Sequence, residues 1–270
     1  MRDIYYPTQY DIDCYNLKVI QCGDYIEIYK YNNCHIRTCR KSKKGAKKGH
    51  SSLSDEQKLY NRKKYLNTAK NRIARLVKAN SDMCYFFTLT FANEPSIEVS
   101  KIYLNKFFDK VRKDYGKIKY LWIIERGGHY GEGRLHYHFL SNIKLNAAAF
   151  KKSKYCKSEQ QKEIERLFAL KYWKQGFVDI RKLDEEGINN ISGYVSAYIT
   201  KSMLDISLVN AKIYNHSRNL NKPIIDVYMT CDDVEDILRT SKEYDLKYNN
   251  SYSYFRDGTI NYFSFSPKKE

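Results

Sequence analysis

No apolar run in this chain approaches the roughly 20 residues that cross a bilayer. The N-terminal stretch MRDIYYPTQYDIDCYN has no apolar signal-peptide core. Both absences point to a cytoplasmic protein. No GxxxxGK[ST] occurs, so no ATP-driven motor is visible, and no internal repeat is found. Cysteine is odd in number (7), which in a reducing compartment argues against a disulfide framework. Cys22, Cys34, His35 and Cys39 offer zinc-ligand chemistry, but their spacing, C-x11-C-H-x3-C, is not a standard finger, and the sequence alone leaves zinc there open. Acidic residues are in deficit: 31 Asp and Glu face 48 Lys and Arg, for a net charge of +17. Such an excess favours a polyanion, because neutralised phosphates release counterions; nucleic acid comes first and an anionic membrane surface second. Tyrosine is abundant (26), but an AT-rich coding sequence rich in Lys, Asn and Ile accounts for it.

Hydrophobic content of 42% supports a real core. Residues 1–80 read as a basic extension. It holds a glycine-containing arm at 34–52 and a basic helix over 52–80, in which Leu59, Arg62, Leu66, Ala69, Ile73 and Leu76 recur at helical spacing. Residues 84–91, CYFFTLTF, read as a buried strand. A helix follows over 93–116, with Ser96 as N-cap and Gly116 at its end. Strands are expected at 117–126, 134–143 and 176–183. Helices are expected at 147–175, 190–205 and 230–244, and a hairpin turning at Asp257-Gly258 within 248–266. The order β-α-β-β-α-β-α suits an α+β fold: an antiparallel sheet palm of ferredoxin or RNA-recognition-motif type, with helices on one face. Residues 81–204 form that core, and 205–270 a C-terminal extension of the same domain.

With only 6 histidines in the chain, two fall at His136 and His138 in GRLHYHFL. Side chains on a strand alternate, so the two imidazoles share one face, roughly 7 Å apart, while Leu135, Tyr137 and Phe139 take the other. Two imidazoles and a carboxylate suit a divalent cation. Glu125, near the end of the preceding strand, would lie beside them; His129, in the glycine-rich turn, competes for that place. In YVSAYITK, Tyr194 and Tyr198 stand four apart on one helix face, with Lys201 three residues beyond.

FFTLTF (86–91), GRLHYHFL (133–140) with Glu125 upstream, and YVSAYITK (194–201) occur in this order. Together they resemble the ordered motifs of HUH endonucleases, most closely the two-tyrosine rolling-circle replication initiators of small single-stranded DNA phages and plasmids. The resemblance covers about 84–204. Tyr137 stands where many members carry a simple hydrophobe. The resemblance implies that His136, His138 and Glu125 hold Mg²⁺ or Mn²⁺. It also implies that Tyr198, then Tyr194, attacks the scissile phosphate, with Lys201 assisting, to leave a 5′-phosphotyrosine and a 3′-OH primer. The implied partners are single-stranded DNA at a replication origin and a host helicase, in the host cytoplasm if the protein is phage-encoded. Lysines 43, 44, 47, 48, 63 and 64 and Arg62 are candidate contacts to the strand. Two other readings compete: an HUH transposase or relaxase, and a non-catalytic nucleic-acid-binding module with aromatics exposed on its sheet.

Overall fold

The computed structural model describes residues 14–36, 54–127, 133–150, 156–183, 208, 211–233, 236, 243–254 and 258–268. The chain divides into two compact units, residues 53–221 and residues 1–52 with 222–270.

The unit of residues 53–221 is built on the ββ and βα patterns legible in the sequence. Helix α1 (Asp55–Lys78) begins with a capping box. Ser54 accepts the Gln57 N–H while the Gln57 side chain accepts the Ser54 N–H. Leu66, Ala69, Ile73 and Leu76 form its buried stripe. Strand β3 (Tyr85–Phe91) leads to α2 (Ile97–Tyr115), where Ser96 caps the Val99 N–H and Gly116, at φ 72°, closes the end. Strands β4 (Tyr120–Arg126) and β5 (Leu135–Ser141) follow as an antiparallel pair.

The long helix expected over 147–175 is broken. A 3₁₀ turn at Ala147–Ala149 stops, and α3 (Glu159–Phe168) starts afresh at Ser158. The Ser158 hydroxyl donates to the Ala149 carbonyl at 2.6 Å and accepts from the Gln161 N–H at 3.1 Å, so one side chain ends one turn and begins the next. A π-helical turn at Ala169–Trp173 then runs into Lys174, whose φ of 57° is left-handed, and on to strand β6 (Gly176–Lys182). A Cβ on Gly176 would sit 2.3 Å from the Thr90 carbonyl oxygen, so only glycine permits that approach. Strand β7 (Tyr214–His216), not expected from the sequence, extends the edge beside β4.

The sheet order is β6-β3-β5-β4-β7, every neighbouring pair antiparallel. Its first four strands have the ferredoxin-like βαββαβ arrangement, so the palm is present as an α+β fold. Helices α2 and α3 pack on the face bearing Tyr85, Phe87, Tyr137 and Phe139. Phe87 and Phe139 stack at 4.3 Å, and Phe107 of α2 and Phe168 of α3 close on them. Truncating Phe139 would cost about 3–5 kcal/mol. Tyr65 of α1 lies beside Tyr214, which register places on the opposite face, at its β7 edge.

The other unit contains a second antiparallel sheet. Strands β1 (Cys14–Cys22), β2 (Tyr25–Ile36), β8 (Ile224–Tyr228), β9 (Tyr244–Tyr254) and β10 (Gly258–Pro267) lie in the order β8-β1-β2-β10-β9. Ile28, Phe263 and Phe265 are its buried core. The β9–β10 hairpin, in which Tyr254 pairs with Gly258, overlaps the segment 248–266 where one was expected; Asp257 lies outside the described residues. The N-terminal extension and the C-terminal extension read from the sequence thus pair with each other here, whereas α1 falls with the palm. The hairpin brings Cys14 and Cys34 together, with their Cα atoms 6.0 Å apart. Among the described residues no helix is long and apolar enough to cross a membrane.

Candidate active site

The site grows out of one register. On β3 the side chains of Thr88 and Thr90 alternate with the core residues Phe87, Leu89 and Phe91. On β5, His136 and His138 alternate with Leu135, Tyr137 and Phe139. Thr88 pairs with His138, and Thr90 with His136; on the other side of β5, Glu125 of β4 pairs with His136. Two threonines, two histidines and a glutamate therefore meet on the sheet face away from α2 and α3.

The contacts follow from this pairing. Thr88 Oγ1 lies 3.0 Å from His138 Nδ1, and Thr90 Oγ1 lies 3.0 Å from His136 Nδ1. His138 Nε2 donates to Glu125 Oε2 at 2.8 Å, with both side chains buried. The imidazole centroids are 6.0 Å apart, and Phe86 stacks on His138 at 5.6 Å. Burial, and then the neighbouring His138, lower the pKa of His136 against the pull of Glu125 and Glu94, so this ring is neutral at pH 7. Tyr137 turns to the core face as alternation requires. Its hydroxyl meets Ser100 of α2 at 2.8 Å, and burial pushes its pKa up to about 12.

Among the described residues no three His, Cys, Asp or Glu side chains converge closely enough to hold a metal ion as they stand. The donor chemistry nevertheless fits a divalent cation. A threonine hydroxyl both donates and accepts, so it anchors Nδ1 in either imidazole tautomer. With Nδ1 held, Nε2 is the atom left to ligate, and the outer hydroxyl fixes the ring plane.

The surrounding loops brace this face. Trp173 Nε1 donates to the Thr90 carbonyl at 3.0 Å. Glu94, just past β3, accepts the Leu135 N–H at 3.1 Å and pairs with Arg126. A groove of about 890 Å³ opens beside Glu94, lined by Phe91, Asn93, Tyr103, Leu170 and Lys174. At the base of the β4–β5 connection the Gly133 N–H donates to the Gly127 carbonyl at 2.8 Å; a Cβ on Gly133 would meet the Gly127 carbonyl carbon at 2.4 Å.

The structure thus brings His136, His138 and Glu125 together. Tyr194, Tyr198 and Lys201, the competing His129, and the helix expected at 190–205 lie outside the described residues. Thr88, Thr90 and Glu94 were not singled out from the sequence. The signal for the threonines was present as the spacing of two in FFTLTF, matching the spacing of two in LHYHFL. Reading it required knowing that these two strands are neighbours and in which register.

No curated protein and no solved structure matches the chain. Residues 84–203, from β3 through His136, His138 and both candidate tyrosines, match a family model of replication-associated proteins of the ORF2 type, and over that stretch the chain is similar to a replication protein.

Proposed function

We propose that this protein starts rolling-circle replication by nicking single-stranded DNA at an origin, through a tyrosine that becomes joined to the 5′ phosphate. The observation that carries the reading is the in-register meeting of Thr88, Thr90, His136, His138 and Glu125 on one sheet face. It stands within a stretch similar to a replication-associated protein. The aromatics that a passive strand-binding sheet would expose along β3 are instead buried: Phe86, Phe87 and Phe91 belong to the core.

His136, His138 and Glu125 would hold Mg²⁺ or Mn²⁺, which when bound neutralises charge on a non-bridging oxygen of the scissile phosphate. Thr88 and Thr90 keep both rings in the orientation that offers Nε2. Tyr198 supplies the first nucleophile: its Oη–P bond forms as the P–O3′ bond breaks, and the phenol proton leaves with the 3′ oxygen as a 3′-OH. Phenol ionises near pH 10, so Lys201 assists by favouring the phenolate and steadying the leaving oxygen. Tyr194 is the second nucleophile. It cuts the regenerated junction while Tyr198 still holds the 5′ end, and circles close without an external energy source. The scissile segment enters as single strand, with strand separation supplied by a host helicase.

The test mixes the protein with single-stranded origin DNA and Mn²⁺ or Mg²⁺ and looks for an SDS-resistant adduct. The wild type should form it, a chelator should abolish it, and the Tyr194→Phe/Tyr198→Phe double variant should lose it. Intact DNA binding with no adduct under any condition would overturn the proposal.

A further inference from the structure

The site described above handles the strand to be cut. A second surface has the chemistry for DNA of another form. Between Gln57 and Lys78, helix α1 carries eight Lys or Arg and no Asp or Glu. A solvated helix normally interleaves its charges, as α3 does, where Lys162 pairs with Glu159 and Arg166 with Glu163 one turn apart. Over that span the sequence of α1 is of one sign only.

The charge is also placed. At 100° per residue, Tyr60, Lys64, Asn67 and Asn71 fall on one line, about 180° round the helix from the buried Leu66, Ala69, Ile73 and Leu76. All four are exposed, as are the flanking Lys63 and Arg72. A trough of about 610 Å³ runs along this face. From Tyr60 to Asn71 the stripe is about 17 Å long, the length of about five base pairs.

We propose that this face of α1 binds duplex DNA in the major groove. A single convex helix matches a groove about 12 Å wide. A single strand would instead call for a row of stacking rings, and the stripe has one, Tyr60. A lipid surface would call for an apolar flank, but the apolar side of α1 is spent in the core. Lys63 and Lys64, which the sequence suggested as contacts to a single strand, are assigned here to duplex phosphates. The Asn67 and Asn71 amides and the Arg72 guanidinium have the donor patterns that read adenine and guanine edges. The surface goes beyond the nicking reaction and does not depend on it: it would hold paired DNA that flanks a melted or looped segment.

The test is fluorescence anisotropy of the full-length protein on a labelled duplex of two helical turns and on a single strand of equal length, across a salt series. The Lys63→Ala/Lys64→Ala variant should weaken duplex binding about tenfold or more and take about two off the slope of log K against log salt. The Asn67→Ala/Asn71→Ala variant should keep the slope and lose discrimination among duplex sequences. Single-strand binding should change little in either. Circular dichroism checks that the alanines leave the helix intact. Duplex binding equal to wild type in both variants, or an equal loss on single strand and duplex, would overturn the proposal. His136→Ala should bind duplex normally, so a failed nicking reaction leaves this measurement readable.

Discussion

Thr88 and Thr90 do the least conspicuous work in the site. Each places a hydroxyl 3.0 Å from an imidazole Nδ1, and each is a β-branched residue suited to a strand. Valine keeps that shape and removes only the hydrogen bond. Thr88→Val/Thr90→Val should therefore fold and melt close to wild type yet need about 10–100-fold more Mn²⁺ for half-maximal adduct formation. Serine at both positions should restore most of the metal response. A variant that lost adduct equally at every metal concentration would show that the threonines act on something other than the histidine rings. The pairing was legible only in part at this scale. H-x-H and Glu125 stand out because few residue types do their chemistry, whereas threonine is ordinary in a strand and gains a role only from its partner.

At the scale of the element, the edge strand β6 shows how a helix finishes a sheet. Its Ile180 N–H donates to Glu165 Oε1 at 2.9 Å, and its Ile180 carbonyl accepts from Gln161 at 2.9 Å. Side chains of α3 thus occupy backbone groups that an edge would otherwise offer to another chain. Lys157 ties the arrangement together, 2.7 Å from both Glu165 and Asp179. Burial works against the Asp179 carboxylate, but hydrogen bonds and charge from Lys157, with help from Arg181, outweigh it and hold its pKa below the ordinary value. Burial likewise works against the Lys157 ammonium, and its two carboxylate partners outweigh it and raise its pKa. The depressed Asp179 contributes stability above the unfolded carboxylate value of about 3.9, which is lost as pH falls through its folded value. The raised Lys157 contributes below about 10.4, and that is lost as pH rises through its folded value. Asp179→Asn should lower the melting temperature at neutral pH, by about 1–2 kcal/mol of stability. The gap to wild type should narrow as the pH falls through the folded value of Asp179, which lies below the ordinary carboxylate value of about 3.9. A gap independent of pH would show that the clasp is held by shape rather than charge. The break between the Ala147 turn and α3 belongs here too. Helical periodicity continues through 147–175, and what divides it is Ser158, whose hydroxyl bonds both sides at once.

Across the whole molecule, every buried residue of the palm core, from Leu66 to Leu220, lies within residues 53–221. A polypeptide of residues 53–221 should therefore melt cooperatively by circular dichroism, with amide protection on β3 and β5. Its failure to fold would show that the palm needs residues from outside that span. By itself the sequence determined strands β3 to β6 of the palm, the caps of α2, the β9–β10 hairpin and the histidine pair, since period, capping chemistry and turn residues act over a few neighbours. It also set the net charge of +17, and with it the expectation of a polyanionic partner. The tertiary structure alone decided that Glu125, Thr88 and Thr90 meet the histidines, because register between strands tens of residues apart is a property of pairing and not of either strand. It alone decided that β1 and β2 join β8, β9 and β10. Backbone hydrogen bonds between strands at opposite ends of the chain carry no local pattern, and the free energy that selects them is the shared burial of side chains such as Ile28, Phe263 and Phe265.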